Sequence, residues 1–136
     1  MRTLLVFILG ILLLACNESN KQTEKVVIDP NNTSEMALLM REMFTQLDSV
    51  KLKLELRHDL SNSQLNFALI HEQKATDESF RKEGLEGMSW AYSNAVYQFN
   101  DSPTLINYRT VINSCVSCHQ SLCPGPLERI DNLIIR

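Results

Sequence analysis

Runs of basic residues are missing from this chain: 13 Lys and Arg are scattered over 136 positions against 16 Asp and Glu, for a net charge of −3 at neutral pH. A net negative chain without a cationic cluster is not built to hold nucleic acid, nor to bind an anionic leaflet through charge. No catalytic nucleophile–base arrangement, paired-carboxylate site or phosphate-binding loop stands out either, so an enzymatic role has little to stand on. Glycine and proline number four each, and between residues 34 and 122 only Gly84, Gly87 and Pro103 interrupt the chain. No internal repeat is visible. A long apolar run occurs once, at the N-terminus.

That run, Leu4 to Leu14, follows Met1 and Arg2 and has Gly10 as its one small interruption. It is too short to span a bilayer and has the make-up of an export signal. The sequence that follows it, Leu13-Leu14-Ala15-Cys16, resembles the lipobox of bacterial lipoproteins, in which Cys16 is acylated and becomes the new N-terminus. A plain secretory signal cut after Ala15 is the competing reading. More than one acyl chain gives stable anchoring, at roughly 0.8 kcal/mol per buried CH₂. Loss of residues 1–15 removes Arg2 and takes the charge from −3 to −4. Residues 16–33 are rich in Asn, Lys, Glu and Gln around a small Val26-Val27-Ile28 patch and read as a lipidated, flexible tether. The expected place of the mature protein is the periplasmic side of a bacterial membrane, held by lipid without crossing it.

Cysteine is sparse, with four residues at 16, 115, 118 and 123. With Cys16 committed to lipid, Cys115-Val116-Ser117-Cys118-His119 stands as the C-x-x-C-H sequence of covalent haem attachment. The spacing has a mechanical reason: two thiols add across the two haem vinyl groups, and the adjacent His119 then lies under the iron as proximal ligand. A zinc site would need further ligands, but His58 and His71 are isolated and there is no second Cys pair. A thioredoxin-like dithiol would need a preceding strand in a βαβ pattern, and none is visible. A chance match at a helix end is the remaining competitor. One covalent haem c is the expected cofactor; the role of Cys123 stays open.

From Ser34 onward the apolar residues keep helical spacing, and an all-α fold is expected for residues 34–136. The first segment covers about 34–58, with Thr33 or Ser34 as cap and Glu35 in its first turn. Its stripe is Met36, Met40, Met43, Leu47, Val50 and Leu54, which keeps one face toward a core. A short second helix is expected over about 61–74, with Leu65, Leu69 and either Phe67 or Ile70 inward. The third covers about 76–99 and carries Phe80, Leu85, Met88, Tyr92, Ala95, Val96 and Phe99. The fourth opens with Asp101 and Ser102 as cap and Pro103 at the first helical position, then carries Leu105, Tyr108, Val111 and Ile112 into the cysteine motif. A Cys123-Pro124-Gly125-Pro126 turn and a short apolar tail with Leu127, Ile130 and Ile134 follow. Short connections imply an antiparallel four-helix bundle.

Four helices with C-x-x-C-H late in the chain resemble the cytochrome c prime and cytochrome c556 family, over Ser34 to about Leu122. The haem sequence is the one highly specific element of the likeness. Leu39-Met40-Arg41 and the Cys-Pro-Gly-Pro turn resemble a branch of small haem lipoproteins related to that family. Two features depart from it. The family places a basic residue a few positions beyond the haem His, whereas Gln120, Ser121 and Leu122 follow here and the next base is Arg129. The last helix is also cut by Pro124 and Pro126 instead of running on.

The resemblance implies two roles. A protein sulfur on the sixth iron position, as in cytochrome c556, gives an electron carrier with redox proteins of the envelope as partners. An apolar side chain closing that position, as in cytochrome c prime, gives a five-coordinate haem that binds or senses NO or CO. The choice falls on the first helix, whose first half should lie opposite His119 and holds Met36, Met40 and Met43. A Met on a helical stripe is commonly core filler. With three in this place, one is expected to ligate iron, and Met40 is preferred as the middle one, within the Leu-Met-Arg element. His58 and His71 are expected to be surface or capping residues. Members of the family are often homodimers through their first two helices, which makes a second copy a candidate partner.

Overall fold

The computed structural model describes residues 33–136. The export segment, Cys16 and the tether through residue 32 lie outside the described residues. The described chain is all-helical, with four α-helices and no strand: α1 Glu35–Glu55, α2 Leu85–Asp101, α3 Leu105–Leu122 and the short α4 Leu127–Asp131. None of these helices is long and apolar enough to cross a membrane.

Helix α1 starts where the sequence says it should, with the Ser34 hydroxyl accepting from the Ala37 amide at 3.2 Å. It stops because Arg57 takes a left-handed φ of 55°. The His58 amide then closes back on the Lys53 carbonyl at 2.8 Å, the hydrogen-bond closure of a left-handed helix end. Between these ends the expected stripe is realised in part: Met43, Leu47 and Val50 are buried, Met36, Met40 and Leu54 are half-buried, and Leu39, outside the expected stripe, is buried as well.

The expected second helix does not form. Residues 56–84 instead run as a strap, mostly without regular structure, with single 3₁₀ turns at Ile70–Glu72 and Glu78–Phe80. Several backbone groups that a helix would pair internally are satisfied by side chains instead. Asn100 on α2 grips Leu65 from both sides, accepting from its amide at 2.8 Å and donating to its carbonyl at 2.7 Å. The Ser89 hydroxyl accepts from the Ile70 amide at 3.0 Å, and Arg81 donates to the carbonyls of His71 and Gln73, each at 3.1 Å. Ser61, Asn62 and Ser63 favour such local alternatives to a helix. Of the expected inward residues, Leu65 and Ile70 are buried while Phe67 and Leu69 are half-buried.

Helix α2 begins nine positions later than expected, at Leu85, after Gly84 with φ of 89°. Only a residue without Cβ adopts that conformation cheaply. Helix α2 also runs on through Asp101, so the expected cap moves: Thr104, not Asp101 or Ser102, accepts from the Asn107 amide at 3.2 Å. Pro103 therefore stands before the cap instead of inside the helix.

The core is one cluster built from all four helices and the strap. Helices α2 and α3 pack on each other along their lengths, and the core closes tightly around Phe99 and Tyr108, both fully buried. At the other end of α3 the chain turns at Pro124–Pro126, and α4 and the residues after it fold back with Ile130 and Leu133 buried. Three hydrogen bonds pin that segment: Tyr108 to the Leu133 carbonyl at 2.8 Å, Lys51 to the Asn132 carbonyl at 2.8 Å and Arg109 to the Ile135 carbonyl at 3.1 Å.

Candidate functional site

The site begins with a matter of helical phase. On α3 the inward stripe runs Tyr108, Val111, Ile112, and the same spacing continues to Cys115, then Cys118 with His119, then Leu122. Positions separated by three and four residues share a face. The two thiols and the imidazole are thus turned inward by the periodicity that buries the core, while Ser117 between them is exposed.

They face an open cavity of about 660 Å³ bordered by the first half of α1, the last two turns of α3, α4 and parts of the strap. The volume lies within the roughly 300–1,000 Å³ of small-molecule and cofactor pockets. Every site residue expected within the described chain lines it: Cys115, Cys118 and His119 from α3, and Met36, Met40 and Met43 from α1. Cys123 lines it too. His58 and His71 do not: His58 is exposed just past α1, and the His71 Nδ1 is 2.9 Å from the Ser89 hydroxyl.

His119 is held in one tautomer. Its Nδ1 lies 2.9 Å from the backbone carbonyl of Cys123. A carbonyl can only accept, so Nδ1 carries the proton and Nε2 is left with a free lone pair, the arrangement that orients and strengthens a metal-binding imidazole. The carbonyl is available because α3 ends there: the Cys123 amide closes the helix on the His119 carbonyl at 3.1 Å, and Lys82 takes the Leu122 carbonyl at 2.7 Å.

The thiols of Cys115, Cys118 and Cys123 are free. Burial, with Cys118 adding to it, pushes the Cys115 thiol up to about 12; burial and then Cys123 also raise Cys118. A nucleophilic dithiol needs the opposite, a lowered thiol pKa in an electropositive setting. Among the described residues no group of three or more His, Cys, Asp and Glu side chains is disposed to hold a metal ion, so the four-donor set of a zinc site is not assembled. The lining does suit haem: thiols on one wall, an imidazole with a free Nε2 beside them, and thioethers on the facing helix, in otherwise mostly apolar surroundings.

Sequence reasoning missed the charged part of the rim. Arg41 and Arg129 line the cavity, and among the described residues no carboxylate does. Arg129 lies ten positions beyond His119 and is brought back by the Pro124–Pro126 turn. Its guanidinium carbon sits 4.2 Å from the centre of the Phe44 ring. Phe80, Ile130 and Leu133 complete walls that the stripe pattern of α1 and α3 does not reveal.

No family model matches the chain, and no curated protein or solved structure matches it either.

Proposed function

We propose that the chain is a monohaem c-type cytochrome lipoprotein that passes single electrons in the cell envelope, with haem c attached through Cys115 and Cys118 and His119 as the proximal ligand. One observation carries the reading. The C-x-x-C-H residues, an imidazole with its Nε2 free and three thioethers from the facing helix converge on one cavity of about 660 Å³. When bound, haem supplies a one-electron couple at its iron. The chain's own contributions are distinct: Cys115 and Cys118 tether, the Cys123 carbonyl fixes the His119 ring, and Leu47, Ile70 and Leu122 exclude water. On α1, Met40 is the preferred source of a sixth-position sulfur, with Met36 and Met43 as alternatives. In this reading α1, α2 and α3 belong to an antiparallel bundle of the cytochrome c prime kind. Cys16 carries the lipid at the periplasmic side of a membrane, and the partners are redox proteins of the envelope, with a second copy as a candidate.

The test is expression of the full chain alongside a haem-attachment system. The wild type should carry haem that survives acid and denaturant, and Cys115→Ala with Cys118→Ala should carry none. Acid-stable haem in the double variant would sink the attachment. CO added to the reduced wild type should leave the Soret band in place; a rapid shift instead favours the five-coordinate, gas-binding reading.

A further inference from the structure

The chemistry of the cavity is lopsided. On the α3 wall stand two thiols, while the rim between α1 and α4 carries guanidinium groups, with no carboxylate among the described lining residues. Arg129 is the better defined of the two. It belongs to a segment that is held firmly: Ile130 and Leu133 are buried, and the Tyr108–Leu133 and Lys51–Asn132 hydrogen bonds, both 2.8 Å, fasten its far end to α3 and α1.

Its side chain is also oriented. The guanidinium carbon lies over the Phe44 ring, 4.2 Å from its centre, within cation–π range. The guanidinium carries five N–H donors. Among the described residues no side chain or carbonyl accepts from them, and no carboxylate is paired with Arg129. An oriented guanidinium with open donors at the lip of an apolar cavity is a receptor for a carboxylate, which it can bind through two parallel hydrogen bonds. Phe44 lies one helical turn beyond Arg41, so the second cationic group borders the same stretch of α1.

We propose that Arg129 binds a carboxylate of the haem, so that the vinyl-bearing edge meets α3 and a propionate-bearing edge meets the α1–α4 rim. The proposal rests on the haem reading and adds to it an orientation and a residue. It also gives the C-terminal segment a role in the site: the turn at Pro124–Pro126 returns a cation to the cavity, whereas α3's own Arg109 is bonded to the Ile135 carbonyl at 3.1 Å.

The test uses the full-length protein with haem attached, as wild type, Arg129→Gln and Arg129→Lys. Midpoint potential and the propionate-bending band in resonance Raman spectra are the two readouts. Losing the cation stabilises the oxidised form, so Arg129→Gln should shift the redox equilibrium three- to tenfold toward it, where tenfold is about 59 mV for one electron. The bending band should move as well. Arg129→Lys keeps the charge but not the fork, and should recover most of the potential while leaving the band displaced. Since Arg129 is exposed, both variants should attach haem as the wild type does. A displaced potential with an unmoved band in Arg129→Gln would reduce Arg129 to a distant charge and overturn the contact, as would two unmoved readouts. Failure of the wild type to carry haem overturns the underlying reading and this proposal together, and is told apart by the missing Soret band.

Discussion

Helices α1 and α3 and the strap between α1 and α2 border the same cavity, but they are held by different physics. The helical walls keep their shape through side-chain burial: Leu47, Val50, Val111 and Ile112 are all buried on continuous stripes, and each helix satisfies its own backbone. The strap buries little beyond Ser63, Leu65, Ile70 and Ala75, and its backbone is satisfied by Asn100, Ser89 and Arg81. Burial is graded and tolerant, whereas a buried backbone group either finds its partner or costs its full desolvation. The two walls of the site should therefore fail in different ways.

The largest loss is expected on the helical side. Leu47→Ala removes a buried side chain shared by the core and the cavity wall, at about 2–5 kcal/mol for a deletion of this kind. Chemical denaturation of the haem-free chain should show the loss as a lower midpoint with an unchanged slope. A cost below about 1 kcal/mol would mean that the wall relaxes into the cavity and the stripe is not what defines it.

A smaller but more local effect is expected in the strap. Asn100→Ala strands both the amide and the carbonyl of Leu65, at about 1–3 kcal/mol for groups left unpaired. Amide hydrogen exchange separates the two cases. Leu47→Ala should speed exchange throughout α1 and α3, while Asn100→Ala should speed it at Leu65 and Ile70 first and leave α3 protected. Equal acceleration everywhere would erase the distinction between the walls.

The same contrast explains what could be read in advance. The stripe on α1 and the inward phase of Cys115, Cys118 and His119 are local, repeating patterns, and a period of 3.6 carries them into three dimensions. The strap is not local. Its partners lie 35 residues away for Leu65, 19 for Ile70 and 10 for His71, and no spacing rule links Asn100 to Leu65. Leu65, Leu69 and Ile70 therefore suggest a helix that tertiary hydrogen bonds override. Two adjacent cap-forming residues, Asp101 and Ser102, drew the start of α3 too early, although Thr104 offered the same hydroxyl chemistry. Arg129 was visible as the next base after His119, but only the fold-back at Pro124–Pro126 makes it part of the rim.

The smallest expected cost in stability belongs to Met40→Leu, and it bears on the question that the geometry of the cavity leaves to chemistry. Met36, Met40 and Met43 all line the cavity; successive members are about one turn apart on a helix of 5.4 Å pitch, so one sulfur at most can stand at bonding distance from an iron. Met43 is buried, whereas Met36 and Met40 are half-buried. Leu in place of Met40 conserves volume and apolar character, at under about 1.5 kcal/mol, and removes only the thioether. With haem attached, the variant should fold as the wild type does, lose the near-infrared sulfur-to-iron charge-transfer band, turn high-spin, gain CO affinity and show a lower reduction potential. A low-spin spectrum retained in Met40→Leu would transfer the role to Met36 or Met43, and the same substitution at each would decide between them. A wild type that is already high-spin would count against a sulfur ligand at any of the three and move the function toward gas binding. Because none of these outcomes depends on a large change in stability, the spectrum reports on ligation alone.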